Sequence, residues 1–74
     1  MKTPRDEVYA AIDGERDYQD AEFGIRQPSV GQEVDLILVY VSKAIDDPTN
    51  VMRNVRKIAG IAVRCMENHG APKR

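Results

Sequence analysis

Cysteine and histidine are nearly absent from this chain: among its 74 residues, Cys65 and His69 are the only ones of their kinds. A single thiol closes no intrachain disulfide, and no Cys/His cluster has metal-ligand spacing. Neither a structural metal nor another cofactor is therefore expected. Long apolar runs and a cleavable leader pattern are missing as well, and the chain is expected to be soluble and cytoplasmic. It lacks internal repeats and low-complexity tracts, which leaves one small domain over residues 1–74. A strong excess of either charge is also missing, the formal net charge being −1. A nucleic-acid-binding surface, which would be uniformly basic, is not expected. A domain this small has a thin core, and with disulfides and metals set aside, association into a homo-oligomer is the expected supplement.

The small net charge conceals a strong polarity along the chain. From Met1 to Ile25 there are three basic and seven acidic side chains; from Val51 to Arg74 there are six basic and one acidic. Such blocks favour an acidic first helix lying against a basic last helix, within one chain or between subunits.

Three helices are predicted, at about 4–23, 30–45 and 48–69, making an all-α, compact three-helix domain. Thr3 is an N-cap with Pro4 at the first helical position, and Asp6 and Glu7 complement the dipole of the first turn. Gly24 stops this helix. Gly14 inside it costs about 1 kcal/mol relative to alanine, and is either tolerated or kept for the close approach of a backbone or a ligand. Ser29 and Gln32 form a capping box for the second helix. Its stripe is Val30, Val34, Ile37, Val41, Ala44 and Ile45, and Leu36, Val39 and Tyr40 widen it beyond what one partner covers, so the homo-oligomer is expected to form through this surface. The β-branched run from Leu36 to Val41 makes a strand the competing assignment. Asp47 and Pro48 start the third helix, whose apolar face is Val51, Val55, Ile58, Ala59, Ala62, Cys65 and Met66. Gly70 ends it in a left-handed conformation, with Pro72 beyond.

The first helix carries the anomaly. At about 100° per residue, Val8, Ala11, Ile12, Glu15, Gln19 and Phe23 share one stripe, so a carboxylate and an amide stand where aliphatic side chains are normal. A buried polar group without a partner costs kilocalories. The pair is therefore a satisfied network that fixes helix docking, a ligand site, or part of a catalytic centre. Gln19 lies one turn after Glu15, where its amide can donate to the carboxylate. Arg16 at one edge offers a guanidinium fork to a carboxylate or phosphate, and Tyr18 at the other edge offers a ring for stacking. On the third helix, Arg53, Lys57, Gly60 and Arg64 form the face opposite the apolar stripe. They read as a solvated basic surface or as an anion site in which the glycine allows close approach. Glu33 reads as a first-turn carboxylate or as a partner for Arg16 or the basic helix. His69 reads as a C-terminal dipole partner, and Cys65 as a small buried hydrophobe.

The run Glu15-Arg16-Asp17-Tyr18-Gln19-Asp20, followed by Gly24 and later by Cys65-Met66-Glu67-Asn68-His69-Gly70-Ala71-Pro72, resembles small uncharacterised proteins encoded by phages and prophages. The resemblance implies expression in a bacterial host cytoplasm. Small phage proteins are often antagonists of host defence that bind a host protein or sequester a nucleotide signal as oligomers. The opening helix is also similar to MazG-type all-α nucleotide pyrophosphohydrolases, which hold Mg²⁺ with carboxylates at i, i+3 on facing helices. Asp17 and Asp20 have that spacing, but they share the face opposite the stripe with Asp6 and Asp13, and Glu33 and Asp35 lack it.

The function expected is a non-catalytic binding or antagonist protein whose ligand site forms where subunits meet around the Glu15–Asp20 run. Arg16 with Arg53 or Arg64 would hold an anionic ligand such as a nucleotide, Tyr18 or Phe23 would stack on it, and Glu15 and Gln19 would read its polar edges. No catalytic residue and no metal ligand is assigned. The alternatives are a MazG-like hydrolase and a direct inhibitor of a host protein.

Overall fold

The computed structural model describes residues 2–24 and 27–74. Three helices are present, α1 (Pro4–Phe23), α2 (Val30–Asp46) and α3 (Val51–His69), with a 3₁₀ turn, Pro48–Asn50, before the last. No strand occurs among the described residues, so the run from Leu36 to Val41 is helical and the domain is all-α. No described helix is long and apolar enough to cross a membrane.

The caps explain where the helices begin. Thr3 Oγ1 accepts from the Asp6 amide at 3.2 Å and Asp6 Oδ2 accepts from the Thr3 amide at 3.1 Å. Ser29 and Gln32 form the equivalent box on α2, at 3.2 and 2.9 Å. Each box satisfies two backbone donors that the first helical turn leaves open. Asp47 acts differently from the sequence expectation. Its Oδ1 accepts from the Thr49 amide and hydroxyl and its Oδ2 from Asn50 Nδ2, which folds residues 48–50 into the 3₁₀ turn. The α-helix therefore starts at Val51, three residues later than expected.

The chain folds around α3. Both α1 and α2 pack on it, and they do not pack on each other. α2 runs antiparallel to α3, tied at one end by His69 Nε2 with the Pro28 carbonyl at 2.8 Å and at the other by the Asp47–Asn50 turn. α1 crosses α3 at Gly60, where a Cβ would come within 2.8 Å of Glu15 Cγ and 2.9 Å of Gln19 Nε2.

The interior overturns the expected sidedness of α3. Ile61 is the only fully buried apolar side chain among the described residues, and Glu15, Gln19, Glu33, Asn54 and Arg64 are buried with it. Gly60 and Arg64, which read as part of a solvated basic face, point inward. The expected core stripe is left only partly covered instead, with Val55 and Met66 exposed and Val51, Ile58, Ala59, Ala62 and Cys65 half-buried. The physical reason lies in α1. A helix that docks through Glu15 and Gln19 needs hydrogen-bonding partners: Arg56 of α3 meets Glu15, Arg16 of α1 itself meets Gln19, and Gly60 gives both side chains room against α3.

Gly60→Ala sets a gain of about 1 kcal/mol in helix propensity against an overpacking cost of about 1–3 kcal/mol. Because one clashing atom is Glu15 Cγ, close to the α1 backbone, the net effect expected is destabilising. A Cβ added at Gly14 would meet nothing within 4 Å, so Gly14→Ala should raise stability by about 1 kcal/mol. Thermal unfolding of both variants checks the pair, and a stabilising Gly60→Ala would contradict this crossing.

The Asp47 carboxyl titrates below the usual carboxylate range, chiefly because the side chains of Asn50 and Thr49 donate to its charged form. A depressed folded pKa contributes stability that is present above the unfolded value of about 3.9 and is lost as pH falls through the folded one. Asp47→Asn should therefore lose less melting temperature than the wild type on acidification from about pH 5 to pH 2.

Candidate functional site

Because α1 and α2 both lean on α3 without meeting, a cleft of about 250 Å³ opens between them. Its α1 wall is Glu15, Tyr18, Gln19 and Phe23; its α2 wall is Leu36 and Tyr40; Lys57, Ile61 and Arg64 of α3 form the base. Four of the seven residues singled out in the sequence thus come from one wall, and a fifth, Arg64, lies beneath them. The remaining two are elsewhere. Arg53 lines two shallow depressions beside the cleft, one of which shares Glu15, Tyr18 and Lys57 with it. Arg16 is turned away from the cleft, toward Glu67 near the end of α3.

The arginines expected to hold an anion are committed inside the fold. Arg64 makes a two-pronged contact with Glu33, Nε to Oε2 at 2.7 Å and Nη2 to Oε1 at 2.6 Å. Glu33 is fully buried, so of its two readings the structure selects the partner to the basic helix. The hydrogen bonds that Arg64 donates to Glu33 raise its guanidinium above the ordinary value against the effect of burial. Arg16 places Nε on Glu67 at 2.6 Å, Nη1 on Gln19 Oε1 at 3.2 Å and Nη2 on Asp20 at 3.1 Å. Burial pulls its pKa down, and the contacts to Glu67 and Asp20 more than offset that. Both groups are charged, oriented and already paired, and they anchor α2 and α1 to α3.

Glu15 and Gln19 also differ from the sequence expectation in their partners. Glu15 Oε1 accepts from Arg56 Nε at 3.0 Å, and Gln19 Oε1 accepts from Arg16. Each is held by a guanidinium, and no buried side-chain polar atom among the described residues lacks a hydrogen bond. Arg56, absent from the sequence-derived site, is recognisable in retrospect as the cation one turn before Gly60.

Lys57 is the cation the cleft has left. Among the described residues it makes no ion pair, and its ammonium lies 5.5 Å from the Tyr40 ring centroid, with Lys43 at 4.9 Å from the same ring. Tyr40 and Lys57 were visible in the sequence only as an edge residue and a member of the basic face. Nothing in either helix alone showed that they converge. Asp17 and Asp20 remain exposed on α1, and no three His, Cys, Asp or Glu residues gather as a metal site among the described residues.

Comparison with protein-family models, curated proteins and solved structures finds no match to this chain.

Removing one partner of a buried ion pair leaves an uncompensated charge and costs about 3–5 kcal/mol, whereas replacing both with apolar residues is often neutral. Glu33→Leu should therefore lower the urea midpoint sharply. The double substitution Glu33→Leu with Arg64→Leu should recover most of the loss. Equal losses in the single and double variants would show that the pair is not coupled.

Proposed function

We propose that this protein is a non-catalytic, phage-type binding protein that acts as a homo-oligomer and receives a flat anionic small molecule, a nucleotide being the best chemical match, in the cleft between α1 and α2. The observation that carries this reading is the meeting of three aromatic rings, Tyr18, Phe23 and Tyr40, with the Lys57 ammonium, which makes no ion pair among the described residues. The rings offer stacking surface for a base and Lys57 offers a point charge for a phosphate. Glu15 and Gln19 stand in the same wall, held by Arg56 and Arg16, and present fixed acceptors and an amide to the edges of a ring. Polar groups already oriented by neighbours favour recognition, because little side-chain freedom remains to be lost on binding.

Size narrows the ligand. Small-molecule sites usually span about 300–1,000 Å³, and this cleft of about 250 Å³ is smaller. It suits one ring and one phosphate, with any further phosphate reaching toward Arg53 in the adjoining depression. In a phage-infected cell such a protein would act by occupancy, withdrawing a host nucleotide signal from its receptor.

Calorimetric titration with mono-, di- and cyclic nucleotides tests the reading. Loss of one charge-assisted contact is worth roughly 1.5–3 kcal/mol, or about ten- to a hundred-fold in affinity. Lys57→Gln should weaken binding by that factor with melting temperature little changed. Arg16→Gln, whose arginine faces away from the cleft, should lower the melting temperature and weaken binding less. No heat with any nucleotide would turn the reading toward a host-protein partner, and Mg²⁺-dependent release of pyrophosphate would turn it toward a hydrolase.

A further inference from the structure

The side of the α2–α3 hairpin opposite the α1–α2 cleft is apolar along both helices. On α2, Val30, Val34, Leu38, Val41 and Ile45 follow one another at steps of four and three, the spacing that aligns side chains on one stripe. All five are exposed, Leu38 at 62% and Ile45 at 75%. On α3, Met52, Val55, Ala59, Ala62 and Met66 make a second such stripe, exposed or half-buried throughout. Each stripe lies about a quarter to a third of a turn from the line along which its helix touches the other. Because the two helices run antiparallel, that rotation brings both stripes to the same side of the hairpin, opposite the α1–α2 cleft, where Val8, Ala11 and Ile12 of α1 border Met52, Val55 and Ala59. No charged side chain falls on either stripe.

We infer that this face binds a second copy of the chain, the two α2–α3 hairpins packing face to face. The inference takes the homo-oligomeric part of the proposed function and assigns its surface, and it holds whether or not the cleft binds a nucleotide. Area supports this occupant. A compact monomer of 8.3 kDa should expose about 4,600 Å², whereas this chain exposes 5863 Å². The excess, about 1,300 Å², is spread over the whole chain and leaves room for the roughly 800 Å² that each partner loses in a standard protein interface. An isologous contact also needs no complementary surface evolved elsewhere, since an apolar face matches itself. The pairing would turn two thin, polar-cored hairpins into one four-helix bundle with an aliphatic centre, and it leaves both α1–α2 clefts open on the outside. The subunits thus meet away from the Glu15–Asp20 run, not around it.

Light scattering and sedimentation of the full chain, with the double substitution Leu38→Ala and Ile45→Ala, test the inference. Two exposed residues changed to alanine in a monomeric helix should leave stability within about 0.5 kcal/mol for each site, and alanine favours helix. The wild type should have twice the 8.3 kDa chain mass at micromolar concentration, with a melting temperature that rises with concentration. The double variant should dissociate at least tenfold more readily and melt lower at equal concentration. A wild type with the mass of one chain, or an assembly whose dissociation constant the double substitution does not change, would overturn the assignment of this face. Nucleotide titration of the same variant separates the two readings, because Leu38 and Ile45 do not line the cleft.

Discussion

The two-pronged contact between Arg64 and Glu33 is the interaction on which the arrangement of this chain depends. Among the described residues it is the one ion pair whose two side chains are both almost wholly out of solvent, at 9% and 1% exposure. It joins α2 to α3 in a domain whose described residues include a single fully buried aliphatic side chain, Ile61. Taking two charges out of water is expensive, and their attraction repays it only when the geometry is good and the remaining donors and acceptors are met. Here two short charge-assisted hydrogen bonds meet that condition. The consequence is a hairpin held by direction rather than by bulk, since a fork tolerates little sliding where an aliphatic seam would permit several registers.

α1 is attached by the same kind of chemistry. Glu15 to Arg56, Gln19 to Arg16 and Arg16 to Glu67 form a set of contacts that spans the α1–α3 crossing, and Gly60 removes the Cβ that would hold the helices apart. The acidic first helix thus lies against the basic last one within one molecule, but only Glu15 with Arg56 pairs in that sense, and Arg16 with Glu67 pairs in the reverse. The outcome is a polar interior. Polar contacts add little net stability each, because folding exchanges them for contacts with water. Such a monomer has few sources of stability, and apart from Ile61 its described aliphatic side chains are exposed or half-buried.

The two surfaces follow from this inversion and are independent of each other. Holding α1 and α2 on different flanks of α3 leaves the cleft between them, walled by aromatic rings and based on Lys57. Turning the polar face of α3 inward pushes its apolar stripe outward, beside that of α2. One side of the molecule is therefore suited to a small anionic ligand and the other to an apolar partner. A single feature, the polar pair on α1, accounts for both.

Local chemistry was legible in the sequence wherever neighbours in the chain decide it. The N-cap at Thr3, the capping box at Ser29, the stop at Gly24 and the helical period through Leu36–Val41 all depend on contacts within a few residues, and the structure has them. Burial of Glu15 and Gln19 was also legible, because helical phase alone puts them among Val8, Ile12 and Phe23. Their partners were not. Whether an arginine faces solvent, a phosphate or a carboxylate depends on which helix crosses it, and periodicity marks faces without saying how faces are matched. Hence Arg64 and Arg16 looked available and are paired, Lys57 looked ordinary and is the cation left over, and the clean apolar stripe of α3 looked like the core and lies outside. Residue order alone was enough to dictate three helices, with one polar stripe among them. Which face of α3 that stripe would take was settled by packing, because buried polar groups must find partners while apolar ones can wait for another surface.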